Sequence, residues 1–396
     1  MQGVGKEGWQ LKLKLWIEGE KIRVECHAEI TKDSFSFALA KSLVLTKALN
    51  NRREVSAQEE DCDLLYRPSM KRYRFTQLQQ GELVICYEGG LEGLWATEHT
   101  PQGPYSCLRE DVFAFSLLNG WYPVEDDADL CEVEVQVSGE WQIIHGQYDA
   151  ENNVWYYRQI NPVDCNIIGV RKEGYHVIGD EQVSLFFPDE QMRRKVQPYY
   201  HGYRQIADFY RTLYGTDRMG RMTLFFLPDT GEDFGGYKRD GLIVFTKVKQ
   251  DVASALHHIA HELAHSYAQG ADCFSWEDWL NETHAEWSAL LYELEQDETF
   301  FERCLAKTKE TYGDRALCLK DNGEGHSEFV HEAGVLVYEK VYRRYGANSI
   351  RTMLTTFDRL QEKNTKNFLQ ALRQQGKTEL AEMVESYCQG SKESPK

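Results

Sequence analysis

Seven of the twelve histidines fall between positions 257 and 331: His257, His258, His261, His265, His284, His326 and His331. At their centre stands HELAH, residues 261–265, inside the run DVASALHHIAHELAHSYA. On an α-helix His261 and His265 are one turn apart on the same face, so their imidazoles can converge on one metal ion. Glu262 sits ~100° further round. That places it beside such a metal but not bound to it, where it can take a proton from a metal-bound water. Two neutral imidazoles and a carboxylate suit zinc, one ion per chain, and an open fourth position makes a site of that kind catalytic.

The third ligand is not supplied by a continuation of the same motif. The pattern H-x-x-G-x-x-H after the first His–Glu pair is absent, since positions 268 and 271 are both Ala. A following segment, WLNETHAEW at 279–287, offers Glu282, His284 and Glu286 at helical spacing. Glu282 and Glu286 are four apart and share a face, whereas His284 points nearly the opposite way, so only one set can meet the metal. Glu282 is the favoured ligand. Glu286 then accepts the other N–H of a ligand histidine and fixes its tautomer. Histidine 284 is read as a non-ligand, His258 as packing or pocket lining, and His257 and His326 carry no specific argument.

Helical periodicity must hold these groups in place. Val252, Leu256, Ile259 and Leu263 recur at steps of four, three and four, which predicts one buried stripe with Asp251 capping the helix start. Beyond Asp251 the pattern predicts helices at 251–269, 279–296, 298–311, 328–345, 348–362, 366–374 and 377–388, preceded by a helical segment after residue 190 and short strands at MTLFFLPD and GLIVFTKV. The first 180 residues read differently. LKLKLWIEGEKIRVECHAEI alternates apolar and polar positions on both sides of a turn, and ELVICYEG and CEVEVQVSG repeat the alternation. Many short strands predict an antiparallel β sandwich. The chain thus reads as a multidomain protein, β then α+β: a sandwich over 1–185, then an α+β domain over 186–396 that is mostly helical after residue 250.

Composition limits the partners. The 396 residues carry 63 acidic and 45 basic side chains, a formal net charge of −18. A basic surface is what general nucleic-acid and anionic-membrane binders need, so neither is expected. The ten cysteines form no C-x-x-C pair, which predicts free thiols in a reducing compartment. Apolar runs stop at about five residues, far below the roughly 20 that span a bilayer. A soluble, cytoplasmic protein is expected, with a peptide or small-molecule substrate and an open oligomeric state.

HELAH followed by WLNE resembles the gluzincin zinc metallopeptidases, and specifically the aminopeptidase N family, whose signature is H-E-x-x-H, a spacer and the Glu of a W-L-N-E segment. The likeness extends outward. GGYKRDGLIVF (235–245) occupies the place of the family's GAMEN strand, FYRTLYG and MTLFFLPD resemble the helix and strand before it, ICYEG and NGWYP resemble parts of its saddle-shaped sandwich, and VHEAGVLVYEKV (330–341) resembles its Y-E-K-G helix. The resemblance implies a thermolysin-like zinc-peptidase catalytic domain in which His261, His265 and Glu282 hold zinc, Glu262 activates water, and the strand containing Gly235, Gly236, Tyr237 and Lys238 lines the substrate cleft.

Four departures shape the expectation. The spacer from Ser266 to Asn281 is sixteen residues where the family has eighteen. Lys238 replaces the family's amine-binding glutamate, which puts aminopeptidase specificity in doubt, because a lysine repels an ammonium and attracts a carboxylate. Glu232 or Asp233 are the nearby acids that could supply the missing charge. His331 stands at the family's catalytic tyrosine and is expected to donate a hydrogen bond to the oxyanion, as a histidine does in thermolysin-like enzymes. The family's C-terminal helical domain has no counterpart, so a more open cleft is expected. A non-peptidase zinc hydrolase acting on an epoxide or ester, and a binding protein with a vestigial site, are the alternative readings.

Overall fold

The computed structural model describes residues 9–64, 67–90, 107–116, 119–124, 130–138, 140–160, 165–171, 173–228 and 235–388. They fall into two compact units. One holds the residues up to Val177 with Phe187–Gln191 and the segment from Phe226; the other holds Ile178–Phe186, Met192–Phe225 and the residues from Gly235.

In the first unit, the alternation read at the N-terminal hairpin is real. Strands Trp9–Glu18 and Lys21–Ile30 pair antiparallel. Leu11, Leu13, Leu15, Ile22, Val24 and Cys26 are all buried, because alternate side chains of a strand share one face. This hairpin lies in the middle of an eight-stranded sheet. One pairing differs from the antiparallel expectation: Trp9–Glu18 runs parallel to Leu130–Ser138. More than a hundred residues separate these strands, so no tight turn dictates their relative direction. A three-stranded sheet and a four-stranded sheet complete the unit. Phe37, Tyr73, Phe75, Phe113 and Ile167 from these sheets, with Trp121 from a connecting segment, join the hairpin leucines in one hydrophobic cluster. The ICYEG and NGWYP segments meet there, the Tyr87 hydroxyl donating to the Trp121 carbonyl at 3.0 Å.

The second unit holds a five-stranded sheet that ends on the strand Gly236–Arg239, paired antiparallel with Leu242–Phe245. Around it run the helices α1 (Arg193–Tyr214), α2 (Val252–Ala264), α3 (Trp279–Gln296), α4 (Glu298–Tyr312), α5 (Val330–Tyr345), α6 (Ala347–Asp358), α7 (Thr365–Gln374) and α8 (Thr378–Glu385). The Asp251 side chain caps α2 by accepting from the Ser254 amide at 2.9 Å. Helix α2 stops at Ala264, short of the 269 expected, because Ser266 and Tyr267 take the tighter bonds of a closing turn to Leu263 and Ala264. Its buried stripe is also shifted. Val252 is 56% exposed and Leu256 is half-buried, while Ala255, Ile259 and Leu263 are buried. Among the described residues no helix is long and apolar enough to cross a membrane. The nine cysteines whose side chains are described are free thiols.

Candidate metal centre

His261 lies in the last turn of α2 and His265 is the residue that closes it. Glu282 lies in the first turn of α3. The loop between the two helices is fixed by Asn281, whose side-chain amide bonds both the amide and the carbonyl of Ala271 at 3.1 Å. The result brings His261 Nε2 within 3.5 Å and His265 Nε2 within 3.8 Å of Glu282 Oε2. One ligand atom from each of the three residues lies within 4.8 Å of the others.

The tautomers suit a metal. His261 Nδ1 donates to Glu286 Oε2 at 2.9 Å, and His265 Nδ1 donates to the Ala268 carbonyl at 3.0 Å. Each ring therefore offers an Nε2 lone pair toward the shared centre, and its orientation is held from behind. Burial alone would raise the Glu286 carboxyl, but His257 and His261 hold it well below the usual carboxylate range. Glu282 is likewise kept well below that range, its burial outweighed by His331, His265 and His261. Burial works against a charged His261, yet Glu282 and Glu286 raise its imidazole well above its ordinary value. A site that attracts a proton this strongly also attracts a divalent cation in the proton's place. Two imidazoles and a carboxylate with these tautomers fit zinc.

Glu262 is buried one residue beyond His261. Burial pushes its carboxyl up, with His261 and His265 pulling the other way. Gly236 of the edge strand lies against it. A Cβ built at Gly236 would sit 3.4 Å from Glu262 Oε1, 3.1 Å from His258 Nε2 and 2.6 Å from the Val244 carbonyl oxygen, so only glycine fits. His258 is buried edge-on to Phe245, and neither ring nitrogen has a hydrogen-bond partner among the described residues. Two residues along the strand, Lys238 shares the face of Gly236, since strand side chains alternate. It is partly buried and makes no ion pair within the described residues; burial lowers its ammonium against the pull of Asp240 and Glu262. Tyr237 takes the opposite face, with the Arg239 guanidinium over its ring at 5.0 Å. Gly235 precedes the strand, its carbonyl accepting from Thr246. Glu232 and Asp233 lie outside the described residues.

His331, in the first turn of α5, brings Nδ1 to 3.1 Å from Glu282 Oε2. Desolvation opposes its charge, but Glu282 lifts the imidazole to about 9. The side chain is 63% exposed, so water screens much of this attraction. His284 is fully buried; its Nδ1 donates to the Leu280 carbonyl, its Nε2 accepts from the Tyr338 hydroxyl at 3.0 Å, and it stacks on Phe357 away from the centre.

Two participants carried no specific argument in the sequence. His257 Nε2 bonds the second Glu286 oxygen at 3.1 Å; its spacing of four from His261 was the available signal. Gly334 of α5 lies against Thr283 of α3 so closely that a Cβ would fall 1.7 Å from Thr283 Oγ1. That contact sets His331 beside Glu282.

No family model matches the chain, and no curated protein matches it in sequence. Solved structures do. An M1 zinc metallopeptidase variant from Deinococcus radiodurans, bound to a Tyr-Ser-Ala substrate, superposes with a TM-score of 0.65 at 14% identity, covering 98% of this chain and 96% of that one. Native leukotriene A4 hydrolase from Saccharomyces cerevisiae superposes with a TM-score of 0.70 at 13% identity, covering 98% of this chain and 68% of that one. The fold is that of the M1 zinc metallopeptidases. At such identities the likeness speaks for the fold, and the chemistry rests on the residues of this chain.

Proposed function

We propose that the chain is a zinc-dependent metallopeptidase. The observation that carries this reading is the convergence of His261, His265 and Glu282, each histidine tautomer fixed from behind, with the buried Glu262 carboxylate adjoining them. Zinc held there supplies Lewis acidity and lowers the pKa of water to about 7. Glu262 takes a proton from the attacking water and later delivers it to the leaving amine, a role for which a carboxyl raised by burial is suited. The His331 imidazole donates a hydrogen bond to the developing oxyanion. The edge strand Gly236–Arg239 offers backbone groups that can pair with an extended peptide, the usual way peptides bind at a sheet edge. Lys238 on the inner face disfavours an ammonium beside Glu262, so a free amino terminus is not the preferred substrate end.

The test is metal analysis joined to peptide hydrolysis. The reading predicts one zinc per chain and chelator-sensitive cleavage of a peptide library; protein that takes up no stoichiometric zinc after reconstitution would sink it. The likeness to leukotriene A4 hydrolase favours a second reading, a zinc hydrolase of an epoxide or ester. Zinc-loaded protein that spares every peptide but opens such a small molecule would move the assignment there.

A further inference from the structure

The chain is acidic overall, yet one cavity of the second unit is basic. It has a volume of about 600 Å³ and lies between α4, the segment that follows it, α5 and α8. Lys309, Arg315, Lys340, Arg343 and Arg344 line it, with Glu339 as the acid among them. The charges are unequally compensated. Buried Glu339 pairs with Lys309 at 2.7 Å and Arg343 at 3.2 Å, and Arg343 also binds Glu302. Arg315, Lys340 and Arg344 make no ion pair within the described residues. Five cations therefore meet two carboxylates.

Two of these three cations are also held in place. The Arg315 guanidinium lies 4.0 Å over the Phe329 ring and donates to the Tyr312 carbonyl. The Arg344 guanidinium lies 5.0 Å over the Tyr345 ring. A guanidinium kept by a ring and a carbonyl retains its charge and its fork of donors for an anion. Leu317, Leu336 and Met383 supply apolar wall between the cations. In a protein of net charge −18, such a concave patch focuses the field and draws anions that the remaining surface repels.

We propose that this cavity binds a small organic polyanion, carboxylate or phosphate groups carried on an apolar body. It is separate from the metal centre. On α5 the cavity takes Leu336, Glu339, Lys340, Arg343 and Arg344, the face left over when Gly334, Val335 and Tyr338 pack toward α3.

Isothermal titration calorimetry with benzene-1,3,5-tricarboxylate, whose carboxylates are too far apart to chelate a metal, and with phenyl phosphate tests this on the full chain. The expected result is saturable one-to-one binding at low ionic strength, the same for zinc-loaded and metal-stripped protein. It weakens by about tenfold or more in Lys340→Glu, an exposed position, and in Arg315→Gln, and weakens with added salt. The tighter of the two probes assigns carboxylate or phosphate. No saturable binding of either probe, binding unaltered in both variants, or binding lost with the metal would each overturn the proposal.

Discussion

His261 Nδ1 lies 2.9 Å from Glu286 Oε2, and the other oxygen of the same carboxylate lies 3.1 Å from His257 Nε2. A single glutamate on α3 thus orients two histidines of α2, one of them a metal ligand. Removing such support typically lowers metal affinity about 10–100-fold. Glu286→Gln should show a loss of that size in a zinc-competition titration, with unchanged secondary structure by circular dichroism. Wild-type affinity in the variant would mean that the carboxylate does not orient the ligand.

Glu262→Gln separates holding the metal from using it. The variant should retain one zinc per chain and lose about 10²–10⁴-fold in kcat, the range for a positioned general base. An amide cannot take the proton, while the buried volume is nearly the same. Residual activity near wild type would give the base role to another group.

Lys238→Glu exchanges a cation for an anion on the face of the edge strand that adjoins Glu262. The ratio of kcat/KM for a peptide with a free amino terminus to that for its acetylated counterpart should rise. An unmoved ratio would show that Lys238 does not line the subsite.

The contact between Gly334 and Thr283 sets the spacing of α5 from α3. Gly334→Ala puts a Cβ where Thr283 Oγ1 now lies, and overpacking of this kind costs about 1–3 kcal/mol. The melting temperature should fall by several degrees. Because His331 and Glu282 are positioned by the same contact, kcat should fall as well while zinc is retained. A variant with wild-type Tm would show that the helices separate without cost.

Glu293 is buried on α3, its Oε1 has no hydrogen-bond partner among the described residues, and burial raises its carboxyl to about 7. A carboxyl that ionises more easily in the unfolded chain destabilises the fold as pH rises from its ordinary value toward 7. Glu293→Gln removes that loss, on the order of 1–3 kcal/mol. Its Tm should exceed wild type at pH 8 by more than at pH 5; an equal difference at both would refute the shift.

What the sequence determined by itself was local or periodic. The four-residue step from His261 to His265, like the step from Glu282 to Glu286, places side chains on one helix face regardless of what packs around it. Alternation in LKLKLWIEGEKIRVECHAEI likewise marked the buried face of its hairpin. The solvent exposure of Val252 was not legible, because periodicity names a stripe but not how far along it the neighbouring helices reach. Tertiary structure decided the rest. His257 and Glu286, His331 and Glu282, and Gly236 and Glu262 are each at least 26 residues apart. The basic cavity gathers its cations from three segments. Packing between separate elements sets those distances, and no local period records it.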